Sequence, residues 1–197
     1  MKIYDITQEV FGGTVFAGDP APKREVLCRI EDGDVCNLTA FSMCAHNGTH
    51  IDAPFHFFSD KNTVERIPLS KTVGFAYLCE FSGILGAADA EDILKKAELS
   101  HPEAAKRILI KGGVTVSADA ARVFAEYGID LIGNESQTVG PLDAPMEVHR
   151  ILLEREVVLL EGVRLSLVPC GVYLLCALPL LLGGADGAPC RTVLIEM

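Results

Sequence analysis

Long apolar runs, clustered positive charge, paired cysteine motifs and histidine are all scarce in this sequence of 197 residues. The longest apolar run, VYLLCALPLLL from Val172 to Leu182, contains a proline and is bounded by Gly171 and Gly183. It falls well short of the ~20 residues that span a bilayer, so a buried strand and its exit are expected there and no membrane partner. Against 27 Asp and Glu there are only 17 Lys and Arg, giving a formal charge of −10. The basic residues are scattered without a run, and nucleic acid is not an expected partner. Seven cysteines, at positions 28, 36, 44, 79, 170, 176 and 190, form an odd set with no CxxC pair. Most lie in apolar segments, where reduced cysteine packs as a small hydrophobe. The start MKIYDITQEV lacks an apolar signal core, so a cytoplasmic protein is expected.

What remains is ordinary globular material, 49% hydrophobic and 22% charged. The length suits one domain, residues 1–197, with a large buried core. The first third reads as strands: KIYDI, EVLCRI and VCNLTAFSMCA alternate at period two and are separated by FGG and EDGD turns. VGFAYLCEF (73–81) continues the strand texture. Thereafter helices intervene. Helical spacing runs from Ala90 to Leu99 with Asp89 able to cap, RILIK (107–111) is a strand, and Ser117 can cap a helix that Gly128 ends. IDLIG (129–133) and VVLL (157–160) read as strands around a helix that Asp143 can cap and that runs to about Glu154. The expected fold is α/β, with a mixed, β-rich core and helices packed outside.

The five histidines are unevenly placed. HNGTHIDAPFH, residues 46–56, holds three of them and an aspartate, where random placement would put about 0.3. The His46 and His50 spacing would suit a helix, but Gly48, β-branched Thr49 and Ile51, and Pro54 argue against one. In an extended segment His50 and Asp52 project to the same side, and Gly48 permits a turn that returns His46 to them. Imidazoles with a carboxylate suit zinc, manganese or iron, or an acid/base constellation. His149 falls on a predicted helix, and Glu161 directly follows a strand that must be buried. An ionised carboxylate there needs a cation or donors nearby. His101, in SHPEAA, reads as a helix-start residue behind Ser100, and Asp19 as a turn former.

The pattern HxGTHxDxPxH, met by His46, Gly48, Thr49, His50, Asp52, Pro54 and His56, resembles the metal-dependent cyclase-type hydrolase family, which includes bacterial kynurenine formamidases and isatin hydrolases. The resemblance extends through FAGDP (16–20), GPLD (140–143), HRILLEREVVLLEG and ALPLLLGGADGAPCR (177–191). It implies two divalent ions, Zn2+ or alternatively Mn2+. His46, His50 and Asp52 would hold the first, His149 the second, with Asp52 reaching both and Glu161 contacting both. It leaves His56 for proton transfer, for which imidazole is suited near neutral pH, and puts Phe16 against the substrate. It further implies a homodimer that hydrolyses a small-molecule amide by a metal-activated water, with an aryl formamide such as N-formyl-L-kynurenine as leading substrate. Opening of a cyclic amide is the alternative within the family. The family's formamidases usually carry proline where Ala17 stands, and an acid, proline and serine where this chain has Asn134 to Thr138. Outside the family, a metal-binding protein without turnover and a thiol enzyme using Cys44 beside His46 remain open.

Overall fold

The computed structural model describes residues 1–197 and opens with the three expected strands, Lys2–Asp5 (β1), Lys23–Cys28 (β2) and Leu38–Ser42 (β3). The second is shorter at its far end than the sequence predicts. Ile30–Asp32 curls into a 3-10 turn that Gly33 closes in the left-handed region, at φ 97°. β2 and β3 pair antiparallel with each other and with no other strand.

His50–Asp52 (β4) comes next. Leu69–Thr72 (α1) leads into Val73–Glu80 (β5) and Gly83–Leu85 (β6), then Ala87–Ser100 (α2), Arg107–Lys111 (β7) and Val114–Val116 (β8). Ala118–Tyr127 (α3), Leu131–Asn134 (β9), Met146–Glu154 (α4), Val158–Glu161 (β10), Gly171–Pro179 (β11) and Gly187–Glu196 (β12) complete the chain. Neighbouring strands run β12–β11–β5–β7–β9–β10–β4, and β4 pairs back onto β12, so seven strands close into a barrel. β5, β7, β9 and β10 are parallel, with helices in their crossovers, and the other barrel pairings are antiparallel; β1 adds antiparallel to β12, and β6 and β8 form a separate parallel pair. This is the α/β class with a mixed core and outer helices that the sequence implies.

Period-two alternation divides the core. On β7, Ile108 and Ile110 face the helices and pack with Ile93, Phe124 and Leu152, while Leu109 faces the barrel interior with Ile51, Leu131 and Leu160. A strand buried on both faces reads as the continuous apolar run RILI. α3 begins and ends as its sequence dictates: the Ala120 N–H donates to Ser117 Oγ at 3.2 Å, and Gly128 closes the helix at φ 78°.

Two local expectations are corrected. Asp89 is not the cap of α2; Gly86 is, and the Asp89 carboxylate accepts the Gly86 N–H at 2.9 Å from inside the first turn. α4 is capped by Pro145, not Asp143; proline's fixed φ, here −71°, suits a helix start. His101 stands at a helix start as expected: α2 ends at Ser100, whose hydroxyl donates to the Lys96 carbonyl at 2.8 Å, and His101 precedes the 3-10 turn Pro102–Lys106, its ring centroid 4.2 Å from that of Phe75. No helix is long and apolar enough to cross a membrane.

Gly162, immediately after β10, is where the barrel end meets the histidine loop. Its N–H donates to Ser136 O at 2.6 Å and its carbonyl accepts Gln8 Nε2 at 2.6 Å and Thr49 Oγ1 at 2.8 Å. At φ 68°, a Cβ there would also strike Gln137 Nε2 and the Gly48 carbonyl. Gly162→Ala is expected to cost more than ~2 kcal/mol in denaturant unfolding of metal-free protein. Unchanged stability would show that the loops can part without penalty.

Candidate metal centre

The chain leaves β3 and turns back on itself before β4. The Asn47 N–H donates to the Cys44 carbonyl at 3.2 Å, Asn47 Oδ1 accepts the Cys44 N–H at 2.9 Å, and Gly48 takes φ 69°, the left-handed conformation expected of it. The turn brings His46 Nδ1 to 2.8 Å from Asp52 Oδ1. His50 and Asp52 stand on β4, a strand where only an extended loop was expected, pinned between β10 and β12. In that register His50 lies opposite Glu161, so the strand-end acid faces the histidine from the neighbouring strand. Ile51, between them, points into the barrel. α4 supplies His149 from the face that also buries Leu152 and Leu153.

Backbone carbonyls orient the two deepest imidazoles. His50 Nδ1 donates to Gly48 O at 3.0 Å and His149 Nδ1 donates to Pro145 O at 2.9 Å. A carbonyl can only accept, so each Nδ1 carries the hydrogen and each Nε2 is the nitrogen left for coordination. His50 Nε2 lies 3.4 Å from both Asp52 Oδ1 and Glu161 Oε2. His149 Nε2 lies 3.4 Å from Asp52 Oδ2 and 3.3 Å from Glu161 Oε1. These separations are long for charge-assisted hydrogen bonds, which run about 2.7–2.9 Å. They match the spacing between two ligands of one tetrahedral ion, which at about 2.0–2.1 Å from it lie about 3.3–3.4 Å apart. The donors form two groups sharing Asp52, namely His46, His50 and Asp52, and Asp52, His149 and Glu161, with the ligand atoms of each within 4.8 Å of one another. The residues present therefore fit a divalent metal.

The electrostatics agree. Asp52 and Glu161 are both buried, and two carboxylates less than 4.8 Å apart repel by at least about 3 kcal/mol at an effective dielectric of about 20. Without metal, protons compensate. Burial pushes the imidazoles down, but the facing carboxylates outweigh it. They raise His46 to about 11, His50 to about 9 and His149 to about 10. Burial likewise pushes Asp52 up, and His149, His46 and His50 together hold it well below the usual carboxylate range.

His56 and Phe16 line the same cavity of about 200 Å3 as the five acid and imidazole donors, with Phe57, Gln137 and Thr138 among its other walls. Asp19 makes the turn expected of it, its N–H donating to Phe16 O at 3.1 Å, and also reaches this cavity. Cys44 does not line it; its Sγ lies 3.9 Å from Asp19 Oδ2. The residue that the sequence reading missed is Asp186, between β11 and β12. Its Oδ2 accepts His56 Nδ1 at 3.0 Å and His46 Nε2 at 2.9 Å. Those two rings stack 4.2 Å apart. The carboxylate thus leaves Nδ1 as the inward nitrogen of His46 and Nε2 as the free nitrogen of His56. The neighbouring glycine makes this approach feasible: a Cβ on Gly187 would lie 2.7 Å from His46 Cε1.

The Cyclase family model matches residues 4–141. This chain belongs to the Cyclase family. Its relatives agree over nearly full length. The kynurenine formamidase of Bacillus anthracis is 34% identical, covering 98% of this chain and 97% of the relative, and that of Erythrobacter litoralis is 30% identical, covering 100% and 94%. A solved structure described as a potential metal-dependent hydrolase with cyclase activity superposes with a TM-score of 0.80 at 29% identity, covering 98% of this chain and 96% of the other. Isatin hydrolase A from Labrenzia aggregata shares the fold, with a TM-score of 0.82 at 20% identity over 100% of this chain and 94% of its own. This cyclase-family chain is a metal-dependent hydrolase, and the cavity holding its histidines and acids is the candidate centre.

Protons and metal compete for one site, which sets opposite pH trends. The raised histidines stabilise the metal-free hydrolase fully below their ordinary 6.5, and this contribution is lost as pH rises through about 9 to 11. Asp52, held low, contributes above its ordinary 3.8 and loses that contribution on acidification. Metal needs neutral imidazoles and so binds better as pH rises. The gain in thermal midpoint on adding Zn2+ to chelator-stripped protein should therefore grow between pH 6.5 and 9 in differential scanning fluorimetry. A pH-independent gain would contradict binding through these histidines.

Proposed function

We propose that this hydrolase cleaves the amide of an aryl formamide, with N-formyl-L-kynurenine the leading substrate, using two divalent ions of which Zn2+ is the first candidate and Mn2+ the second. The observation that carries the reading is the pair of donor groups sharing Asp52, with His56 beside them in the same cavity. The kynurenine formamidases at 30–34% identity support the substrate. When bound, the ions supply a water ionised near neutrality and a Lewis acid for the carbonyl oxygen.

The chain's own residues do the rest. Phe16 and Phe57 give the cavity apolar walls against which an aryl ring can lie. Asp186 holds His56 through Nδ1, so His56 Nε2 takes the proton from the attacking water and returns it to the leaving nitrogen, producing formate and the free arylamine. Asp186 positions His56 and also supports His46 from behind, the role a carboxylate commonly has beside a coordinating imidazole. Gln137 and Thr138, from the loop that departs from the formamidase pattern, reach the cavity too. Their departure from the formamidase pattern weighs against a formamide alone, and the second reading is a cyclic amide of isatin type. We place the protein in the cytoplasm, in keeping with its seven unpaired cysteines.

The test is turnover of N-formylkynurenine, isatin and simple cyclic imides, before and after chelation, with metal analysis of each sample. Formamide cleavage should vanish on chelation and return with Zn2+ or Mn2+. His56→Ala should keep its metal and lose about 10²–10⁴-fold in kcat. Asp186→Asn should lose kcat and also weaken metal affinity by about 10–100-fold. Full turnover by metal-free protein would overturn the proposal, and a His56→Ala protein of undiminished kcat would remove His56 from the chemistry.

A further inference from the structure

Away from the metal cavity, a recess of about 300 Å3 beside α2 holds two thiols, Cys79 and Cys170. The pairing of β5 with β11 brings them together. In that antiparallel ladder Gly171 lies opposite Leu78 and Val172 opposite Tyr77, so Cys170, just before Gly171, meets Cys79, just after Leu78. Both face outward. Tyr77 and Cys79 pack on the helix side of β5 while Leu78 packs inside the barrel. From β11 it is Tyr173, Leu175 and Ala177 that turn inward, which leaves the alternate positions, back through Val172 to Cys170, for the outer face. Directly opposed residues of an antiparallel pair have Cα atoms about 4.5–5.5 Å apart. That lies inside the roughly 4.4–6.8 Å that a disulfide bridges. The two thiols differ in access: Cys170 is exposed, whereas Cys79 is buried and its thiol donates to the Leu109 carbonyl at 3.7 Å.

We propose that Cys79 and Cys170 form a covalent modification site, which a small neutral or cationic disulfide oxidises to an intramolecular cross-strand disulfide, independently of the reaction assigned above. Cys170 gives up its proton to solvent and its thiolate attacks one sulfur of the small disulfide. The small S–S bond breaks, and the departing thiolate takes up a proton. Cys79 then loses its proton and attacks the Cys170 sulfur, forming the new S–S bond and releasing the second small thiol. Two electrons and two protons pass in all from the cysteine pair to the oxidant. The order of attack follows from access, and burial agrees with it by pushing the Cys79 thiol up to about 12. Charge selects the oxidant. Glu80, Asp89 and Asp92 line the recess against Lys96 alone, and Asp92 already holds Lys96 at 2.6 Å. An anionic disulfide such as oxidised glutathione is therefore repelled. The bond would close a loop that contains β7, β9 and β10 together with His149 and Glu161, and a loop closed in the unfolded chain favours the folded one.

Cystamine, a cationic disulfide, should convert the full chain as purified into a species lighter by two hydrogens, and non-reducing peptide mapping should show Cys79 joined to Cys170. Oxidised glutathione at the same concentration should act about 10-fold more slowly; equal rates would remove the selection by charge. The thermal midpoint should rise by about 4–16 °C on oxidation and return with dithiothreitol, with metal content unchanged. In Cys79→Ser the reaction should stop at a cysteamine adduct on Cys170, and in Cys170→Ser position 79 should stay unreacted. The wild-type map decides the matter even if Cys79→Ser fails to fold. A wild type that keeps the adduct on Cys170 while Cys79 stays free overturns the proposal. So does a link from either residue to a different cysteine, within the chain or between chains.

Discussion

Two buried carboxylates facing each other across a strand pair set the terms for the rest of this molecule. Asp52 and Glu161 have no lysine or arginine against them; what surrounds them is imidazole. Positive charge must be supplied, and the site can take it as protons on three histidines or as divalent cations in the same space. The 3.3–3.4 Å separations suit the second form better than the first.

The barrel exists in the form that makes this juxtaposition possible. β4 is only three residues long, yet it closes the ring by pairing with β10 on one side and β12 on the other. Closing there sets Glu161 opposite His50 and places Asp186, just ahead of β12, behind His46 and His56. α4 crosses over the same strand ends and adds His149. Parallel strands bring β10 into register, an antiparallel strand carries the histidine motif, and a helix covers both. Catalytic and structural demands therefore fall on the same short segments, and Gly162 and Gly187 are the close-approach points that let them meet.

Legibility from the sequence followed the range of the interactions. The histidine cluster was readable because its members are near neighbours in the chain and because Gly48 and Pro54 excluded a helix. Glu161 was readable as an acid ending a run that had to be buried. His149 gained its role only from the family resemblance, since helix periodicity gave it no clear face. Asp186 was not readable at all. Its partners lie 130 and 140 residues away, and in GGADGAP an aspartate reads as a turn former. The strand β4 escaped because three residues carry no usable period, and β12 because nothing local announces that it closes a ring. On β2 and β3 the alternation correctly gave strands, but the half-buried sheet it implied is absent within one chain.

The central claim is that Asp52 belongs to two coordination spheres at once. The most direct measurement is anomalous diffraction from crystals grown with Zn2+ or Mn2+. The account expects two peaks per chain, each within bonding distance of an Asp52 oxygen, one also near His46 and His50 and the other near His149, with Glu161 reaching both. A single peak, or two peaks with Asp52 outside either sphere, would contradict it.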